Sequence, residues 1–338
     1  METRKVQLSG GTTYTVSLPK SWAQEQGIDS DSLVELHPKG DGSLLVEVLG
    51  DSEVDDRSVV LDITTTDIDE LEQQLVALYT IGFDDVVLKD RSGHADAQRR
   101  AIESAIEGLS GFELFESAKT RIQLRNLIDA TNIDIRKSAL RLRLVVISMH
   151  SDAITALTDD DSQLARRVID RDNEADKLFA MVTRHFRRSL LDLREVEKLE
   201  HSRDRLFEFY YVCRQFERVA DHAVKMARFV LEEQPTVPDE LAERLAEYGE
   251  TARSILNMSA DVVLTDGDIE MAHRALADRD SLADTLDDED RNLYGHDQPD
   301  VAYTMGLLLD SIRRSADYGA NVATIGIQQV LREEAPDG

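Results

Sequence analysis

Over the first fifty positions apolar and polar residues alternate in short runs, and further along the chain this gives way to a long helical rhythm. Lys5 to Leu8, Thr13 to Leu18, Leu33 to His37 and Leu44 to Val48 carry the strand-like alternation, with turn signals at Gly10-Gly11 and Lys39 to Gly42. Pro19 and Gly27 bracket a short helix between the second and third strands, proline at the start and glycine at the stop. Four strands this short enclose little core, so an intertwined or closed homodimer is expected to supply the missing burial.

An acidic stretch, Asp51 to Asp56, separates this β segment from a second pattern in which strands and helices alternate. Strand signals at Val59 to Thr64, Asp85 to Leu88, Glu113 to Glu116 and Arg121 to Leu124 flank helical ones at Ile68 to Ile81 and Ala95 to Leu109. The expected result is a small α/β layer, βαβαββ, over residues 51–127.

From Leu127 onward apolar residues recur at helical spacing. Breaks at Asp159 to Asp161, Leu191-Asp192, Pro235 to Pro238, Asp266-Gly267 and Gly295 to Pro299 define six helices of about 25 to 38 residues. Helices this long on short loops pack as antiparallel neighbours. They also repeat. Arg166 to Leu178 matches Arg274 to Leu286 at seven of thirteen positions, and Phe216 to Ala227 parallels Ile312 to Ala323. A tandem duplication of a three-helix unit explains both matches. The expected fold is therefore mainly α: two tandem three-helix bundles, 128–234 and 235–338, preceded by a β domain over 1–50 and the α/β layer.

Composition changes this picture in two ways. The 338 residues hold 67 acidic and 39 basic side chains, a net charge of −28, and only nine of the bases are lysine. Such self-repulsion weakens a compact state in dilute buffer but keeps a protein soluble in molar salt, so a halophilic, high-salt cytoplasm is the expected setting. The single cysteine, Cys213, rules out an internal disulfide and a Cys-based zinc site. No apolar run approaches the roughly 18 residues of a membrane span, so a soluble, cytoplasmic protein is expected.

Candidate chemistry lies in carboxylates. Asp172 and Asp176 are four apart, as are Glu217 and Asp221, so each pair projects from one helix face. Opposed across a bundle, the two faces would present four carboxylates, a donor set for a hard or borderline metal ion such as Fe, Zn, Mn or Mg. Spacing alone is weak evidence, because a chain this acidic contains about 13 such pairs by chance. Repetition strengthens it: Asp280 and Asp284 stand at the matching place in the second bundle, and Asp317 matches Asp221. The residue aligned with Glu217 is Arg313, whose guanidinium is expected to neutralise the aspartates there. No Walker loop, GxSxG elbow or GxGxxG loop occurs, and the one Glu-x-x-His, Glu270 to His273, lies outside the carboxylate set. An enzyme with its own catalytic site is therefore not expected.

The segment Phe216-Glu-Arg-Val-Ala-Asp-His-Ala, following Asp170-Arg-Asp-Asn-Glu-Ala-Asp176, resembles the signature of the PhoU family of phosphate-uptake regulators over residues 128–333. The resemblance implies tandem three-helix bundles, repression of phosphate uptake when phosphate is replete, and metal clusters on the acidic motifs just named. It also implies a phosphate transporter ATPase or a signalling protein as partner. Gly11 to Lys20 with Gly27 to Val34 resembles the AbrB/SpoVT swapped-hairpin domain, which implies an intertwined homodimer that binds DNA; archaeal proteins join such a domain to a PhoU region. Arg4, Lys5 and Lys20 are the expected phosphate-backbone contacts. Residues 1–50 nevertheless hold four bases against seven acids, so an adaptor that uses the β domain only to dimerise is the competing expectation.

Overall fold

The computed structural model describes residues 3–38, 42–48, 57–234, 237–293 and 299–334. The expected turn at 39–41, the acidic stretch at 51–56 and parts of the breaks near 235 and 295 lie outside the described residues. The chain divides into two compact units, Met1–Asp56 and Arg57–Gly338.

In the first unit, β1 (Gln7–Ser9) pairs antiparallel with β2 (Thr13–Thr15), and β3 (Val34–Pro38) with β4 (Leu44–Val48). A short helix, α1 (Lys20–Glu25), follows Pro19, and Gly27 just past its end takes a left-handed φ of 67°. These are the elements expected from the alternation. No described residue between 3 and 48 is buried. Leu8, Tyr14, Leu33 and Leu36 stay 59, 75, 70 and 57% exposed, so the described residues of this unit form strands without a core.

The second unit begins with a four-stranded sheet in the order β5-β6-β8-β7, built from β5 (Ser58–Asp62), β6 (Asp85–Lys89), β7 (Phe112–Ser117) and β8 (Arg121–Asn126). The β5–β6 pair is parallel and the other two are antiparallel, with a bulge between Leu114 and Glu116. Helix α2 (Ile68–Ile81) starts where the Asp67 carboxylate accepts from the Asp69 N–H, and ends at Gly82 with φ 108°. Helix α3 (Asp96–Glu107) completes the βαβαββ order. Leu71, Leu75, Tyr79, Leu88, Ile122 and Leu124 are fully buried or nearly so and form the layer's core, with Phe112 set edge-on to Tyr79 at 5.1 Å.

The rest is helical: α4 (Ile135–Thr158), α5 (Ser162–Leu191), α6 (Leu193–Leu199), α7 (Arg203–Glu233), α8 (Asp239–Leu264), α9 (Ile269–Leu293) and α10 (Pro299–Glu334). Asp134, Asp161 and Ser202 cap α4, α5 and α7 through their side-chain oxygens. The six long helices run from 24 to 36 residues, close to expectation. Helix α6 was not expected. Its seven residues are too few to show a period, and Leu191-Asp192 reads as a simple break.

Helices α4, α5 and α7 pack together, as do α8, α9 and α10, and one hydrophobic cluster runs through both sets because α10 also packs on α7 and α8 on α4. Gly319 and Gly326, two turns apart on α10, let that helix approach α8. A Cβ at either would come within 3 Å of Ile255 or Val262.

Helix α5 is locked to the α/β layer by a buried polar clamp. Arg184, 1% exposed, donates to the Tyr79 and Phe83 carbonyls at 2.8 Å each and to the Asp84 carboxylate, with its guanidinium 4.9 Å from the Tyr79 ring. Arg188 donates to the same Asp84 at 2.6 Å, to the Gly82 carbonyl at 3.0 Å and to Glu195 of α6 at 3.1 Å. His185 meets the other Glu195 oxygen at 2.5 Å. A side chain on Gly82 would strike the Arg188 stem, at 2.7 Å, so glycine is required there for both its φ and its space.

Candidate functional site

Eight residues before the clamp on α5, the predicted carboxylates come together. Asp172 and Asp176 lie one turn apart on α5, Glu217 and Asp221 one turn apart on α7, and the two helices pack against each other. Their proximity shows in their acidities. Asp172 is held above the usual aspartate range by loss of water and by the charge of Asp221, with Arg228 pulling the other way. Asp176 is exposed, yet partial loss of water and then the charges of Asp172 and Asp221 lift it to about 6. Glu217 rises to about 7, chiefly by desolvation and then by Asp221, although Arg214 donates to it at 3.0 Å. Asp221 is raised by desolvation against the pull of Arg214 and Arg218.

A fold that gathers four carboxylates without a matching number of cations stores repulsion, and such perturbed groups beside a cleft are candidates for a functional site. The donor set, oxygen only and anionic, is that of a hard or borderline cation. As the side chains stand, no three His, Cys, Asp or Glu among the described residues form a group ready to hold one ion. A cation at Asp172, Asp176, Glu217 and Asp221 therefore requires those side chains to swing inward on binding.

The second set is arranged differently. Asp280 and Asp284 are both exposed on α9. Arg279 reaches Asp280 at 3.2 Å and Asp317 of α10 at 3.7 Å, so an arginine sits between the two acids. Arg313 does not turn to Asp280 or Asp284, as its alignment suggested; it pairs with Asp287, one turn further along α9, at 2.5 Å. The counterpart of Arg279 in the first set is Arg171, which points away from the cluster to Ser148, at 2.7 Å, and to Asp152. The same motif arginine thus neutralises one set and leaves the other charged.

Next to the first set a cleft of about 500 Å³ runs between α7 and α10 from Asp172 and Asp221 toward Tyr303. Nothing in the spacing of the motifs announced it, because α10 contributes it from more than eighty residues away. Cys213 is fully buried, as a core cysteine should be. His222 is half-buried near the Tyr318 ring, 5.9 Å between centroids. Arg4, Lys5 and Lys20 are exposed in the first unit. No described helix is long and apolar enough to cross a membrane.

The molecule is thus a mainly helical bundle protein with a small sheet, an open carboxylate cluster and a separate hairpin unit. Residues 139–230, which span most of α4 through α7 and hold all four clustered carboxylates, match the PhoU domain. Residues 7–52 match the family described as antidote-toxin recognition MazE, bacterial antitoxin, so both sequence resemblances find a counterpart. Among solved structures the chain aligns with PhoU from Pseudomonas aeruginosa at a TM-score of 0.49 and 20% identity, covering 59% of this chain and 96% of that one. It also aligns with the phosphate transport system regulatory protein PhoU from Streptococcus pneumoniae at 0.46 and 17%, covering 60% and 96%. No curated protein matches the sequence.

Proposed function

We propose that this chain is a regulator of phosphate uptake that works as a homodimer on DNA, with the helical bundles as its sensing part. The observation that carries the reading is the union, in one chain, of a PhoU domain over 139–230 with a MazE-type unit whose described residues form strands and no core. Apolar side chains at Leu8, Tyr14, Leu33 and Leu36 left in water at 57 to 75% exposure cost free energy that a second copy recovers. The carboxylates Asp172, Asp176, Glu217 and Asp221 would hold a metal ion, which would supply the positive charge that the groove lacks. The protein is read as a binding protein, not an enzyme.

In the dimer Arg4 and Lys5 occur twice and would meet the DNA backbone with Lys20. Replacing Leu36 by aspartate is expected to reduce the mass in light scattering from twice 38.0 kDa to that of one chain. The double change Arg4→Gln with Lys5→Gln should leave the dimer intact and weaken duplex binding by about tenfold at low salt. A wild-type chain that already runs as a monomer removes the dimer. Unaltered DNA affinity removes Arg4 and Lys5 from the contact. Genome occupancy compared between phosphate-rich and phosphate-starved cells tests the whole reading, which requires phosphate-dependent peaks beside phosphate-transport genes.

A second reading is favoured by one observation, the three-charge acidic excess of residues 1–50. In it the hairpin unit only dimerises, and the bundles dock on a phosphate transporter ATPase or a signalling kinase. A flat occupancy profile, together with capture of such a partner, selects it.

A further inference from the structure

The cleft between α7 and α10 orders its chemistry along one line. Asp221, Lys225, Arg228 and Glu232 follow one another on a single face of α7, a row about 16 Å long. Asp172 joins the acidic end from α5. The Phe229 ring stands beside Arg228, with Tyr303 of α10 across the cleft, their centroids 6.5 Å apart. Tyr303 is 65% exposed, so one face of its ring is open to a flat ligand. Ser311 lies in the wall of the cleft, 1% exposed, and its hydroxyl has no hydrogen-bond partner among the described residues. A buried polar group left unpaired beside a cavity calls for a partner, and a ligand atom in the cleft would supply one.

We propose that this cleft binds a nucleoside triphosphate together with a divalent cation. The cleft offers each part of that ligand a partner: carboxylates for the cation, Lys225 and Arg228 for the phosphates, an aromatic face for the base. Glu232, beyond the two cations, is placed to accept from ribose hydroxyls. The volume of about 500 Å³ falls within the range of ligand pockets of this size class. The cation is essential, because Asp172 and Asp221 would otherwise repel the phosphates. To that extent the proposal rests on the reading of the carboxylates as a metal site. Lys225 now pairs with Asp310 at 3.5 Å, an exposed contact that a phosphate can replace at little cost.

Calorimetry on the full-length chain tests this with ATP and Mg²⁺ together, then with ATP in EDTA, Mg²⁺ alone, adenosine alone and inorganic phosphate alone. Expected is saturable binding of ATP with Mg²⁺, at least tenfold weaker binding of adenosine and of phosphate, and a loss of about tenfold in Tyr303→Ala, the usual worth of a stacked base. Arg228→Ala should lose a similar factor, and both residues are exposed enough that circular dichroism should show an unchanged fold. No ATP binding by a chain that still binds Mg²⁺ overturns the nucleotide and leaves the carboxylates as a metal site. Phosphate binding as tightly as ATP, with Tyr303→Ala without effect, also overturns it. ATP binding that survives EDTA overturns the cation bridge, and with it the reading of Asp172 and Asp221 as metal ligands.

Discussion

Replacing Arg184 by alanine is expected to destabilise the second unit by about 3–5 kcal/mol, the range seen when one member of a buried charge pair is removed. The magnitude follows from what stays behind. The Phe83 carbonyl loses the arginine donor, the Tyr79 carbonyl keeps only the Gly82 N–H, and Asp84 keeps Arg188 and a long contact from the Asn126 amide at 3.4 Å. Lysine will not restore the loss, because an ammonium cannot span two carbonyls and a carboxylate in the plane that the guanidinium occupies. Guanidinium chloride unfolding of Arg184→Ala and Arg184→Lys, followed by far-UV circular dichroism, measures the effect. A loss below about 1 kcal/mol in both would mean that the clamp contributes no more than an exposed pair.

The second large effect concerns the carboxylate cluster. Asp176 at about 6 and Glu217 at about 7 lie above their ordinary values of 3.8 and 4.5. Groups raised on folding contribute stability below their unfolded values, near pH 4, and lose it as pH climbs through 6 and 7. Above pH 7 the folded protein carries the full repulsion. Asp176→Asn with Glu217→Gln should therefore be more stable than wild type at pH 8, by about 2 kcal/mol once solvent screening at exposed Asp176 is allowed for. Near pH 4 the difference should vanish. Millimolar Mn²⁺ at pH 8 should raise the melting temperature of the wild type and not of the variant. If the variant were the less stable at pH 8, the four acids would be held by attraction and the site reading would fall.

How much of this the residues announced depends on how many segments each feature needs. The βαβαββ order and the six long helices were legible because each reports through a local period, and the bounds of α2 agree to the residue. The pairing of Asp172 and Asp176, or Glu217 and Asp221, on one face is also local, since four residues span about one turn. Their nearness across the bundle followed from antiparallel packing. The clamp was invisible: Asp84, Arg184 and Glu195 come from a loop, a long helix and a short one, and each reads singly as a solvated charge. One signal was available. The run Leu178-Phe-Ala-Met-Val182 is apolar without a break, and a helix apolar all round must be covered by a second layer. Arg313 illustrates the converse limit. Its alignment with Glu217 was correct, but alignment does not say which neighbouring carboxylate a long side chain will reach, and it chose Asp287.

The hairpin unit has a consequence for how the protein behaves in time. Because no described residue of 3–48 is fully buried, the proposed dimer would supply much of the free energy of their ordering from a surface that another molecule brings. If the unit dimerises as proposed, order there is second order in protein, with a midpoint that is a concentration and not a temperature. A freshly made chain would complete its bundles alone and then wait for company before its first fifty residues took shape. Gene dosage and synthesis rate would then set the fraction of hairpin units that are formed, and dilution would undo them while leaving the helices untouched.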